Sequence, residues 1–374
     1  MKRNAPSLKE LGSRLADARK AAGLTQADLA REVGLDRTAV TKIETGARSV
    51  DSLELSRIAA ALKRPVDWFL FPSPRLVASR RKALDVSNER PADVQLEMLA
   101  RDVEQMIEMG ALRLPDVLRP AGAVKTVEDA ERAARGARDF LKLSDGPLRN
   151  LMRAAELLGV VAASLDLQDD KLDGSYVALD TGGVALINGA TPSGRRRFTL
   201  AHELGHHVLA DSYSAEWIVT AEDEDRERLV SAFAIHFLMP RESVVRRWAE
   251  LDGRKDERRA AIVLGAEFAV SWSAVCAQLR NLELISEGAR RVLVEQRPTK
   301  ADFLELEVFI EEDLRAPSLS PGFSSAVVKA YRKHKLSRER AVELLRGTVE
   351  PKDLPAQDEV PLEAMHAEIR PLDE

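Results

Sequence analysis

A single cysteine, Cys276, stands in 374 residues, so no intrachain disulfide can form and stability has to come from packing. A chain of this kind suits a reducing cytoplasm. Aromatic residues make up only 5%, which points to helical Ala/Leu packing. No apolar run reaches the length of a membrane span, and the N-terminus has no signal-peptide pattern. A soluble, cytoplasmic protein with no membrane partner is therefore expected. Histidine is rare as well: there are six, and four of them fall between positions 202 and 236. Net charge is small at −5 but unevenly spread, being +4 over residues 1–72 and −9 over the rest. A basic first domain on an acidic body suits nucleic-acid binding at one end only.

The length allows two or three domains. In the first, Leu8, Leu11, Leu15 and Ala18 recur at helical spacing over 7–21, and Gly23 closes that helix. Thr25 is an N-cap for a second short helix through Val33, Gly34 supplies a tight turn, and Asp36 caps a third helix from Arg37 to about Thr45. Two short helices joined by a glycine turn form a helix-turn-helix pattern. Val40 and Ile43 face its core. Arg37, Thr38, Thr41 and Lys42 point outward, with Gln26 at the start of the second helix, as side chains suited to phosphates and base edges. Helices at about 52–62 and around 65–69 complete the bundle. The run Leu24-Thr-Gln-Ala-Asp-Leu-Ala, with Gly34 and Lys42-Ile-Glu-Thr-Gly46, resembles the lambda-repressor-like, XRE-type DNA-binding domains. The resemblance implies double-stranded DNA as a partner, and paired half-sites if the chain forms a homodimer. The same scaffold can also serve protein interaction.

Prolines 72 and 74 break the chain, and Arg75, Arg80, Arg81 and Lys82 lie in a polar linker, either as plain surface or as an extension of the DNA footprint. Helical patterns follow at about 92–110 and 126–142, and from Pro147 until Gly159. Val160–Leu167 reads as a strand, and 175–179 with 184–188 as a hairpin around Asp180-Thr-Gly-Gly183. Such a sheet either supports its neighbours or offers an edge to an extended peptide.

It leads directly into Arg195-Arg-Arg-Phe-Thr-Leu-Ala-His-Glu-Leu-Gly-His-His-Val-Leu209. His202, Glu203 and His206 spell H-E-x-x-H on a helical run, where residues four apart share a face and two imidazoles can converge on one ion. Glu203, one position round, is placed to take a proton from a water acidified by that ion, the chemistry of zinc hydrolases. Gly205, unfavourable in a helix by roughly 1 kcal/mol against Ala, suggests that another backbone passes close by. A catalytic zinc ordinarily has a third protein ligand, and Glu227 opens the right face of the next helical run, with Glu222, Asp223, Glu224 and Asp225 as rivals. His207 reads as a surface histidine off the metal side. His236 lies about 180° round the helix from Glu227 and packs elsewhere. Cys276, in an apolar helix with no partnered base, reads as packing.

Phe198-Thr-Leu-Ala-His-Glu-Leu-Gly-His206, with Asn188 ahead of it, Glu227…Phe233-Ala…Phe237-Leu-Met-Pro240 behind it, and then Phe268-Ala-Val-Ser-Trp-Ser-Ala-Val, resembles the ImmA/IrrE-type metallopeptidases over about residues 128–285. The resemblance implies zinc held by His202, His206 and Glu227, with Glu203 as general base. The family often has Ala-Asn where this chain has Val230-Ser231. Its members commonly cut or release helix-turn-helix repressors under stress or during induction of mobile elements, and some carry their own DNA-binding domain.

The expected chain is therefore multidomain and α+β. An all-α helix-turn-helix domain (1–72) is followed by a linker and helix (73–125). A mainly helical, zincin-like metallopeptidase domain with a small β-sheet covers 126–285. A helical C-terminal region (286–349) and a disordered, Pro- and acid-rich tail (350–374) complete it. Lys329, Arg332, Lys333 and Lys335 read as a solvated helix face rather than a second nucleic-acid surface. Two functions fit: a DNA-bound zinc endopeptidase acting on a repressor or antitoxin, or a non-catalytic transcription factor whose metal domain senses zinc or binds a protein partner.

Overall fold

The computed structural model of the chain describes residues 6–62, 64, 66–70, 91–169, 172–209 and 221–359. The linker charges Arg75, Arg80, Arg81 and Lys82, and residues 360–374 of the expected tail, lie outside the described residues. Among the described residues, those up to Glu97 form one unit and those from Met98 onward a second.

The first unit contains α1 (Leu8–Ala21), α2 (Gln26–Val33), α3 (Arg37–Glu44), α4 (Ser52–Ala61) and α5 (Val66–Leu70). Local signals start three of these helices. Ser7 with Glu10, Thr25 with Asp28, and Asp51 with Glu54 each form a capping box that satisfies N–H groups the helix leaves open. Asp36 sits at the N-cap of α3 but makes no side-chain bond there. Gly34 closes α2 in the left-handed conformation, φ 69°, which a residue with a Cβ would adopt only under strain. Leu15, Ala18, Leu29, Val40, Ile43, Ile58 and Phe69 form one buried core. A Cβ at Gly12 would stand 2.4 Å from the Ile43 carbonyl oxygen, so α1 and α3 meet at a distance that only glycine permits.

Helix α6 (Pro91–Glu108) contributes residues up to Glu97 to the first unit and the rest to the second. After it come α7 (Val127–Phe140), α8 (Leu151–Leu157), β1 (Val160–Leu165), β2 (Gly174–Ala178) and β3 (Gly183–Asn188). The helix expected from Pro147 begins instead at Leu151, capped by the Asn150 side chain. Strands β2 and β3 form the expected antiparallel hairpin, while β1 runs parallel to β3 with Val160 opposite Gly183. Beyond lie α9 (Ser193–Leu209), α10 (Ala221–Leu238), α11 (Arg241–Glu250), α12 (Glu257–Glu267), α13 (Trp272–Asn281), α14 (Glu287–Glu295) and α15 (Lys300–Glu305). The chain continues with β4 (Ser318–Leu319), α16 (Pro321–Arg332), α17 (Arg338–Leu344) and a 3-10 turn at Pro351–Asp353.

The C-terminal region is not only helical. Strand β4 pairs antiparallel with β1, giving the sheet order β2-β3-β1-β4. Ser320 both donates its N–H to Ala162 O (2.9 Å) and accepts from Ala162 N through Oγ (2.8 Å), closing the edge that β1 would otherwise present. Nor is the tail loose from residue 350. Leu354 is buried and Gln357 Nε2 donates to Tyr331 O at 2.9 Å, so the stretch to residue 359 packs on α16. Leu354 is the one buried side chain of residues 351–359, and Asp358 pairs with Arg332. Among the described residues, no single helix is long and apolar enough to cross a membrane.

Candidate metal centre and helix-turn-helix surface

Helix α9 is held at its start by the three consecutive arginines. Arg195 pairs with Asp173 at 2.7 Å, Arg196 with Glu312 at 2.6 Å, and Arg197 with Asp313, while Arg197 also donates to Leu148 O. The sequence shows these arginines only as a basic run. In the fold, two of them are nearly fully buried and tie the helix to residues more than a hundred positions away. A Cβ at Gly205 would lie 3.0 Å from Val230 Cγ1 and 3.1 Å from Phe233 Cδ1. The close neighbour that this glycine implied is α10.

That approach brings Glu227 to the motif. His202 Nε2 is 3.0 Å from Glu227 Oε2, His206 Nε2 is 3.4 Å from Glu227 Oε1, and the two Nε2 atoms are 3.2 Å apart. Donors each about 2.0–2.1 Å from one tetrahedral centre stand about 3.3 Å from one another. The three donors therefore have the spacing of a zinc site, and two imidazoles with one carboxylate are the donor set of a catalytic one. The Glu227 side chain is 34% exposed against 2% and 1% for the histidines, so the centre opens to solvent on the carboxylate side. Glu203 is buried in the same turn of α9. Ser231 Oγ stands 3.4 Å from His202 Nδ1, where it can take the N–H, so that Nε2 is the nitrogen turned to His206 and Glu227. Among the rivals of Glu227, Glu224 and Asp225 are exposed and outside the cluster, and the side chains of Glu222 and Asp223 lie outside the described residues.

His207 is a correction. It is 3% exposed, not a surface residue: Nδ1 meets Tyr176 Oη at 2.6 Å and Nε2 meets Leu158 O at 3.0 Å. Burial, and then the nearby Arg119 charge, push its pKa down to about 4, so it is neutral at physiological pH. Periodicity placed it off the metal side, but could not tell that the sheet covers that side. His236 packs away from the centre as expected, buried beside Gln278 (3.3 Å) and Glu131 (3.7 Å), with its pKa lowered chiefly by burial. Cys276 is buried and burial pushes its thiol up to about 11, so it is an unreactive packing residue.

In the first unit, Arg37, Thr38 and Lys42 are exposed on α3, and Gln26 and Thr41 are half-buried. Gln26 Nε2 donates to Glu44 at 2.8 Å and its Oε1 accepts from Thr41 Oγ1 at 3.0 Å. Glu44 is itself fixed by Arg19 at 2.6 Å. The fold thus joins Gln26 and Thr41 at the junction of α2 and α3 before any ligand arrives, a link their separation in sequence does not reveal.

Residues 15–69 match the helix-turn-helix family HTH_3, and residues 155–280 match the IrrE N-terminal-like domain of the Peptidase_M78 family. No curated protein matches the chain. Among solved structures, the restriction-modification controller protein C.AhdI from Aeromonas hydrophila is 36% identical, covering 17% of this chain and 96% of its own, with a TM-score of 0.17. Bacillus thuringiensis PlcR, in complex with the peptide PapR7 and DNA, is 13% identical over 90% of this chain and 91% of its own, with a TM-score of 0.18. Streptococcus suis ComR is 11% identical over 91% and 87%, with a TM-score of 0.17.

Proposed function

We propose that this chain, which joins an XRE-type helix-turn-helix domain to an IrrE/ImmA-like domain of the Peptidase_M78 family, is a cytoplasmic DNA-binding transcriptional regulator with a zinc-dependent endopeptidase activity. Its substrate is a partner repressor or antitoxin, cut or inactivated under stress. The observation that carries the reading is the His202, His206 and Glu227 cluster, spaced for one tetrahedral ion beside Glu203.

Zinc, when bound there, supplies a Lewis acid that polarises the scissile carbonyl and acidifies a water. The chain's own residues do the rest. Glu203 takes a proton from the attacking water and returns it to the leaving amine. Glu227 neutralises charge on the solvent side, where the substrate arrives. Ser231 holds the ring of His202 in the ligating orientation. Through Arg37, Thr38, Thr41, Lys42 and Gln26, the first unit contacts operator DNA and concentrates the peptidase near its partner.

The test is Glu203→Gln, which keeps shape and hydrogen bonding but cannot accept that proton. Loss of a general base costs about 10²–10⁴ in rate. The variant should retain zinc and DNA binding, fail to relieve repression in cells, and leave the partner protein at full length under inducing conditions. Normal derepression by the variant, with the partner intact in both strains, would instead establish a transcription factor whose metal domain senses zinc or binds a protein without turnover.

A further inference from the structure

The Tyr176–His207 pair has no part in the chemistry above, yet the fold goes to some length to accommodate it. A Cβ at Gly183 would fall 2.5 Å from the Tyr176 ring and hydroxyl, and one at Gly159 3.2 Å from His207 Nε2. Gly159 and Gly182 both have positive φ, 94° and 84°, and a Cβ at Gly182 would strike the Gly159 carbonyl at 2.5 Å. Gly159 and Gly183 thus line the slot in which the two rings meet edge to face, with centroids 5.7 Å apart, and Gly182 backs Gly159. Inside it the polarity is fixed. Leu158 O can only accept, so His207 Nε2 carries the hydrogen and Nδ1 is left to accept from the Tyr176 hydroxyl. Arg119 Nη1 donates to the His207 carbonyl at 2.7 Å, a second hold on the same turn.

Helical spacing says what this hold acts on. His207 lies four residues after Glu203, on the same stripe of α9, and directly follows His206. On the opposite side, α9 meets α10 through Gly205, and α10 carries Glu227. The rotation of α9 about its own axis therefore sets the distances from His202 and His206 to Glu227. Side-chain tips stand about 5–6 Å from a helix axis, so a turn of ~10° moves them about 1 Å. Metal sites tolerate about 0.2 Å. The arginine pairs anchor the first turn of α9, and at its last turn the Tyr176 hydrogen bond to His207 adds a directed hold to the packing there.

We infer that Tyr176 is a positioning residue for the metal centre, acting through His207, with Arg119, to fix the rotation of the last turn of α9 against the sheet. The inference rests on the zinc reading above. Its test uses Zn2+ alone, in competition with a chromophoric chelator, and the visible spectrum of the Co2+-substituted full-length chain. Tyr176→Phe keeps the ring and removes the hydrogen bond. It should weaken zinc about tenfold, the lower end for residues that orient ligands, and should change the shape of the Co2+ bands. Leu344→Ala, a fully buried position in α17, supplies the structural control. It should lower the melting temperature at least as much while leaving zinc affinity and the Co2+ spectrum unchanged. Zinc affinity within twofold of wild type and an unaltered spectrum in Tyr176→Phe would overturn the inference, as would an equal loss in Leu344→Ala. Should Tyr176→Phe not fold, Arg119→Met removes the other hold, and the same outcomes apply with a loss of about threefold. If the wild-type chain holds no more zinc than a His202→Ala, His206→Ala double variant, the metal reading falls and this inference with it. A wild type that binds zinc, together with an unaffected Tyr176→Phe, defeats only this inference.

Discussion

The two units build their sites in opposite ways. The helix-turn-helix surface consists of exposed and half-buried side chains on short helices, of which α2 is started by a neighbour three residues away, Thr25 with Asp28. The candidate metal centre consists of histidines 1–2% exposed on a 17-residue helix, joined by a carboxylate from another helix. A surface of the first kind tolerates side-chain change without collapse. One of the second kind fails when a distant contact moves, because every donor depends on how α9 and α10 sit against each other.

The largest expected effect separates the two outright. His202→Ala with His206→Ala should take zinc from about one per chain to trace, read by metal analysis of protein purified without added zinc, because only Glu227 remains of the donor set. DNA affinity of the same protein should stay within twofold. Coupled loss of both would mean that the sites are not built independently.

Gly205→Leu tests the dependence on packing without touching a donor. The added side chain must displace Val230 and Phe233, and such overpacking costs about 1–3 kcal/mol. The variant should melt several degrees lower and bind zinc at least tenfold more weakly. Unchanged zinc affinity would show that α10 can yield without carrying Glu227 away.

On the first unit the effects should be smaller and of another kind. Arg37→Ala and Thr41→Ala should each reduce discrimination between operator and random DNA by about 1–3 kcal/mol, with melting temperature unmoved in Arg37→Ala and slightly lowered in Thr41→Ala, which loses the hydrogen bond to Gln26. Lys42→Ala should weaken both kinds of DNA alike and lower the salt dependence by about one counterion. Equal losses on both DNAs for Arg37→Ala and Thr41→Ala would restrict them to backbone contacts.

The smallest effect concerns pH. His236 is buried between Gln278 and Glu131, and burial holds its pKa below the ordinary value. The folded chain then binds fewer protons there than the unfolded one, so its contribution is present above about pH 6.5 and is lost as pH falls. His236→Gln should flatten the acid limb of stability in denaturant melts near pH 5–6. An identical limb in both proteins would assign it to other groups.

The sequence by itself determined whatever depends on neighbours within one or two turns. The helix-turn-helix pattern, the shared face of His202 and His206, the β2–β3 hairpin and the packing role of Cys276 were all legible, because capping, helical period and turn chemistry act over three to seven residues. Glu227 could be named, but that its carboxylate stands beside both imidazoles, with Glu224 and Asp225 exposed and outside the cluster, emerged only once α9 and α10 were seen to approach at Gly205. Hidden altogether were β4 closing the β1 edge, the burial of Arg196 and Arg197 against residues 312–313, and the Tyr176–His207 slot. His207 was misread for the same reason. A helical wheel says which residues share a direction but not what lies in that direction. The partners stand 31 to about 160 positions apart in the chain, and only closing those loops brings them together.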